Sequence, residues 1–202
     1  FFTTIFLLLS ALGLRAGELP VSVDNSKLLY FPPIIDQKGG SCAQASSIGY
    51  LFTYEINRLL GRDASLSDRN TFSYLFTWNF VNGGSDSGGF VDEGLVIAQR
   101  YGVMTNADFG YTSVNQFKWA SGFDKYLNAS RYRVKKIYTF SDTTEENIQS
   151  IKRYLHDKGT GVSSGGILTF STQSTGWIFD DNYQGSSATG YHSLLTSLAT
   201  QG

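Results

Sequence analysis

One cysteine, Cys42, occurs among 202 residues, and its surroundings suit a nucleophile. The run Gln37-Lys38-Gly39-Gly40-Ser41-Cys42 reads as a flexible turn feeding a helix. Ser41 and Gln44 form the S-x-x-Q pattern of a capping box, which makes Ser41 the expected N-cap and Cys42 the first helical residue. The N–H groups and positive dipole end of a helix start stabilise an anion, so a thiolate is favoured there. A thiolate is the nucleophile that acyl transfer needs. Gln37, five residues earlier, can swing an amide N–H toward the same point. With the backbone N–H of Cys42 it would form a two-donor oxyanion hole. Gly39 and Gly40 remove side chains where a substrate carbonyl must approach. The competing reading of Cys42 is a small buried core residue, the commoner fate of a free cysteine.

Positioning these residues requires a helix after Ser41, and the pattern supplies one. Ala45, Ile48, Phe52, Ile56 and Leu59 recur every three or four positions, and Gly61 closes the run. Upstream, Leu19 to Ile35 is extended, with Pro32-Pro33 excluding helix. Asp68 to Val81 is aromatic, helical at first and buried, and Asn82 to Gly89 is a Gly/Ser loop. Asp92 to Tyr101 predicts a helix with Leu95 and Ala98 inward and Gly102 as its stop. Tyr132 to Phe140 is strand-like. Thr143 and Glu146 make a second capping box, opening a helix with Ile148, Ile151 and Leu155 inward. Gly166 to Ser171 reads as a short apolar strand. Helices early and strands late predict an α+β fold with two lobes.

Composition narrows the classes. With one Cys and two His, neither a disulfide scaffold nor a structural zinc site is expected. Sixteen Lys+Arg against 17 Asp+Glu give a net charge of −1, which exerts no general pull on nucleic acid. Phe1 to Leu14 is apolar, with no charge before Arg15. A bilayer span takes about 20 residues, so this run fits the apolar region of a secretory signal, with Ala16-Gly17 as the cleavage zone. The alternative is a buried first strand or helix. Residues 1–16 are thus expected to be an N-terminally incomplete signal peptide and 17–202 the folded domain. No cysteine lies near Ala16 for lipid attachment, and no later stretch suits membrane insertion, so a secreted or cell-envelope (periplasmic) location is expected. An idle thiol is a liability in an oxidising compartment, which favours Cys42 as a nucleophile.

At these residues the sequence resembles the papain-like cysteine proteases, in a bacterial-type branch. Ile35 to Ser46 (IDQKGGSCAQAS) is similar to that family's Gln-Gly-x-Cys-Gly-x-Cys-Trp-Ala-Phe-Ser segment. Gly88-Gly89-Phe90-Val91-Asp92-Glu93-Gly94-Leu95 and Tyr101-Gly102-Val103-Met104 resemble its Gly-Gly turn, short helix and Tyr-Gly-Val step. Asp108-Phe109-Gly110-Tyr111 stands where the family has an acidic-aromatic-Pro-Tyr element, and Glu145 to Ser171 matches its helix leading to the strand before the catalytic histidine. These segments follow the family order from about residue 19 to 202. Departures are one residue fewer between Gln37 and Cys42, Ala43 in place of Trp, and no disulfide cysteines. The resemblance implies a papain-like two-lobe fold, a helical lobe against an antiparallel β-rich lobe incomplete at its C-terminus. It also implies hydrolysis of a peptide or protein substrate without cofactor or metal.

Such chemistry needs an imidazole. His156 lies at the polar end of an amphipathic helix and reads as exposed. His192 follows Cys42 by 150 residues, within papain-like spacing. Its context, Tyr191 to Ala199, lacks the family's Gly-Tyr ending, and Leu194, Leu195 and Leu198 fit a helical stripe. A catalytic histidine beyond Gly202 is therefore expected, in a chain truncated at both ends and inactive as it stands, with His192 the other source. Asp180 to Gly185 begins like a calcium loop, but Tyr191 replaces the twelfth-position Glu, and an ordinary polar loop is expected. Asp92-Glu93 and Asp180-Asp181 suit turns and helix starts rather than facing glycosidase carboxylates. Arg131, Arg133, Lys135 and Lys136 read as a solvated sheet face, and Trp119 and Trp177 as core or lobe-interface residues. No Gly-rich segment opens a phosphate-gripping helix after a strand. Two rivals to the peptidase stand: a non-catalytic papain-fold module binding protein or glycan, and a transferase using the same thiol.

Overall fold

The computed structural model describes residues 19–140, 142, 144–160 and 164–171. The Phe1–Leu14 run, Trp177, the Asp180–Gly185 loop and the segment around His192 lie outside them. A helix over 42–60, α1, forms the centre. It starts as one α turn at Cys42–Gln44, widens to a π-helix over Ala45–Phe52 and returns to α geometry over Thr53–Leu60. Gly61 ends it at φ 61°, a left-handed position that glycine occupies without strain. The expected apolar stripe is met at first: Ala45, Ile48 and Phe52 are buried, and Ile56 packs against them. Leu59, however, is 67% exposed, while Thr53, Tyr54 and Asn57 are buried. A π-helix bonds i to i+5 and turns less per residue, so the face it presents beyond Phe52 departs from a 3.6-residue projection.

Four shorter helices surround α1. Helix α2, Tyr74–Val81, starts where the Ser73 hydroxyl accepts the Phe76 N–H at 3.2 Å. Helix α3 is Val91–Tyr101, and Gly94 lets it approach α1 so closely that a Cβ there would stand 3.0 Å from Ile48 and Ser47. Gly102 stops α3 at φ 83°, where any Cβ would strike the Ala129 carbonyl. Helix α4 is Phe123–Ala129, and α5 is Glu145–Asp157. The cap of α5 is Thr144, one residue after the expected Thr143: Asp142 accepts the Thr144 N–H at 3.2 Å and the Asn147 amide at 2.6 Å, which sets the start. Leu155 is buried and Ile148 and Ile151 half-buried, as the stripe required. Phe52, Phe72 and Tyr132 form the aromatic spine of the main core, their rings meeting edge-to-face at 4.9 Å.

The expected β-rich lobe is not formed among the described residues, which corrects the α+β two-lobe expectation. Helix dominates the described residues, and no strand occurs among them; Phe72 and Thr105 make an isolated antiparallel bridge. Residues 132–140 form no strand: Tyr132 and Val134 pack against the core, the chain bends at Tyr132 and Lys135, and no described strand lies alongside. Helix α3 and the residue after its stop take their bonds instead: Tyr132 O accepts the Val103 N–H and Lys135 O accepts the Gln99 amide, both at 3.2 Å. Likewise 164–171 is extended but held by helix side chains. Asn25 donates to Leu155 O at 2.7 Å and Gly166 O at 2.8 Å, and the Tyr54 hydroxyl donates to Gly165 O. Alternation reports which side chains face inward; a sheet also needs a neighbouring strand to pair the backbone. No helix among the described residues is long and apolar enough to cross a membrane.

Asn25, fully buried, thus ties the N-terminal segment to α5 and the 164–171 segment through one carboxamide. Asn25→Ala strands two buried carbonyls, and a loss of about 2–4 kcal/mol is expected. Denaturant unfolding followed by tryptophan fluorescence checks this; a loss below about 0.5 kcal/mol would show that 164–171 is not docked.

Candidate active site

Cys42 is half-buried and is not in a disulfide. The seven residues that follow it, Ala43 to Gly49, are all buried, as is Ser41 before it, so Cys42 is the partly accessible residue at the start of an enclosed stretch. The expected capping box does not form. The Ser41 hydroxyl donates to Lys38 O at 2.7 Å, and Ser41 makes no side-chain bond to the first turn. Gln44 points to α3 instead, donating to Phe90 O at 3.4 Å, while its Oε1 is buried without a partner. The helix nevertheless starts where expected, with the Ala45 N–H bonded to Ser41 O at 2.8 Å.

Gln37 lies on the same turn, exposed, its amide donating to Gly39 O at 2.9 Å. To meet an oxyanion beside Cys42 the amide must exchange that bond for the incoming oxygen. Gly39 adopts φ 59°, and a Cβ on it would strike the Asp86 carboxylate and stand 2.8 Å from Gln116 Nε2 and 3.0 Å from the Trp78 ring. A Cβ on Gly40 would press on the backbone of 86–88, about which the Gly40 N–H is also anchored, to Asp86 Oδ1 at 2.5 Å. Both glycines therefore make room for a second loop. Trp78 fixes that loop by donating to Ser87 O at 2.9 Å.

Trp78, Asp86 and Gln116 lie 36 to 74 residues after Cys42, and no local signal in the sequence links them to the turn. Nor does one link Tyr50 and Tyr74, whose hydroxyls accept the Ile35 N–H at 2.8 Å and the Lys38 N–H at 3.1 Å. These two phenols clamp the chain leading into Gln37.

His156 is exposed at the end of α5, as its helix face required, 3.6 Å from the Asp157 carboxylate. The end of α5 is anchored to Glu55, which receives Lys158 at 2.6 Å and the Tyr154 hydroxyl at 3.2 Å. Glu55 stands thirteen residues along α1 from Cys42, roughly 18 Å by helical rise, so His156 does not meet the thiol. Ser46, one turn along from Cys42, is hydrogen-bonded to the Thr169 hydroxyl. The 164–171 segment therefore runs along α1 from Tyr54 toward the Cys42 end.

No protein-family model matches the chain, and a comparison with curated proteins finds no match. Among solved structures, the chain is similar to xylellain, a cysteine protease from Xylella fastidiosa, at 19% identity and a TM-score of 0.43. The match covers 59% of this chain and 48% of that one, about half of the relative's length.

Burial raises the Tyr74 phenol to about 12, against the opposing bond from the Lys38 N–H, and also raises Tyr50. A phenol held above its unfolded value near 10 adds stability that is complete below pH 10 and lost as pH climbs through about 12. Absorbance at 295 nm with parallel circular dichroism should show the exposed tyrosines ionising first and the clamp phenols only as structure melts. Ionisation of all 12 tyrosines in one step near pH 10, with the fold intact, would refute the clamp.

Proposed function

We propose that this chain carries the nucleophile of an exported cysteine-type peptidase related to the papain-like family. The observation that carries the reading is the place of Cys42, half-buried at the first residue of a helix whose next two turns are enclosed. The order of family-like segments along the chain supports it. One solved structure similar to this chain is a cysteine protease.

In this reading the Cys42 thiolate attacks the carbonyl carbon of a peptide bond. The oxyanion that forms is met by the backbone N–H of Cys42 and by the Gln37 amide, released from Gly39 O. The C–N bond then breaks, an imidazolium protonates the leaving amine, and water later cleaves the thioester. His156 is too far to serve. The imidazole comes from His192, which lies outside the described residues, or from a longer chain.

An epoxide thiol probe tests the reading on the full-length protein. Stoichiometric labelling at Cys42, faster than that of free cysteine at pH 7 and abolished by Cys42→Ala, is the expected result. Labelling no faster than free cysteine would instead favour a non-catalytic binding module. His192→Ala separates the two sources of the base: a fall in peptidase activity of about 10²–10⁴, the usual contribution of a general base, identifies His192.

A further inference from the structure

At the far end of α1, past its Gly61 stop, the chain builds a second polar site. A pocket of about 340 Å³ is lined by three arginines, Arg62, Arg69 and Arg131, with Asn70, Asn128 and a single carboxylate, Asp108. Arg62 is anchored by its backbone N–H, bonded to Asn57 O at 2.9 Å, and its guanidinium lies 6.0 Å from the Tyr132 ring centre. Its Nε and Nη2 are both buried and have no hydrogen-bond partner among the described residues. No described carboxylate pairs with any of the three guanidiniums. Leu60, next to the stop, is 18 residues from Cys42, roughly 25 Å by helical rise, so this pocket is separate from the thiol.

Nε and Nη2 form one edge of the guanidinium, two parallel N–H groups spaced to grip two oxygens of one anion. Burying that edge unpaired is costly, and folded proteins normally satisfy such donors. Arg69 and Arg131 are exposed at the mouth, free to reach further oxygens. Three guanidiniums against Asp108 leave a local excess of two positive charges, which a dianion neutralises. A phosphate monoester carries about that charge at neutral pH.

We infer that this pocket binds a dianionic oxyanion of the phosphate or phosphomonoester type, held edge-on by Arg62 and covered by Arg69 and Arg131. Inorganic phosphate is the probe, titrated into the full chain at constant ionic strength and followed by calorimetry and melting temperature. A saturable rise in melting temperature absent with matched sodium chloride is expected, with affinity lost in Arg62→Gln and weakened at least tenfold in Arg62→Lys. Because Arg62 is partly buried, the exposed pair Arg69→Gln/Arg131→Gln provides a second arm, expected to weaken phosphate at least tenfold without unfolding. The inference is overturned if phosphate acts no differently from chloride, as it would were an acidic part of the chain already seated there, or if the double variant binds unchanged. Acetate binding more tightly than phosphate would likewise overturn the assignment to a phosphate group. Cys42 labelling should be unchanged in these variants, so the two sites succeed or fail independently.

Discussion

Enclosing a helix on every side forces its polar residues to find partners inside the protein, and the first two turns after Cys42 depend on that. Seven consecutive residues from Ala43 to Gly49 are buried, among them Gln44, Ser46 and Ser47. Ser47 returns its hydroxyl to Ala43 O at 2.9 Å, and Ser46 bonds Thr169 from the far end of the described chain. A buried hydroxyl without such a bond costs more than the bond itself contributes. The 164–171 segment therefore belongs to the environment of the helix rather than to a separate layer. Gln44 satisfies one end of its carboxamide and leaves Oε1 unpaired, a cost borne within a turn of Cys42.

Close packing around this helix rests on glycine. Gly49 faces Ile35, Gly94 faces Ile48 and Ser47, and Gly39 and Gly40 face the 86–88 loop. Each removes the Cβ that would hold the neighbouring backbone away. The same contacts orient the turn that precedes Cys42: the loop braces one side, and the Tyr50 and Tyr74 hydroxyls brace the segment entering it. The bracing acts on the backbone of the turn; the Gln37 amide itself is bonded to Gly39 O.

Charge is balanced over the chain but not over its surface. The excess near Arg62, Arg69 and Arg131 lies at one end of α1, while on the flank of the same helix Glu55 gathers Arg58, Lys158 and the Tyr154 hydroxyl. Burial pulls the Lys158 ammonium below its usual range, with Glu55 opposing that shift, so the Glu55 cluster is an internally paired site. In the arginine pocket Asp108 is the single carboxylate, and no described carboxylate is paired with a guanidinium there. A whole-chain charge near zero thus excluded a general attraction to polyanions without excluding a local one.

Much of the helical framework was legible in the residues themselves. A turn of glycines, a cap at Ser41, periodic apolar residues and Gly61 located both ends of α1, because those signals act between residues close in sequence. Helix α3 and its stop at Gly102 were legible for the same reason. The capping box expected at Ser41 does not form, because Lys38 O and Phe90 O take its two side chains. Nor was the loss of Leu59 from the core legible; it follows from the π-helical turn. The strands predicted over 132–140 and 166–171 failed because alternation is a property of one segment and pairing a property of two. By itself, then, the sequence determined which residue is the nucleophile candidate and that it opens a helix. Tertiary structure alone decided that Trp78 and Asp86 brace its turn, that His156 lies out of reach, and that three arginines converge on one pocket. Those relations span tens of residues, and only packing of the chain brings their members together.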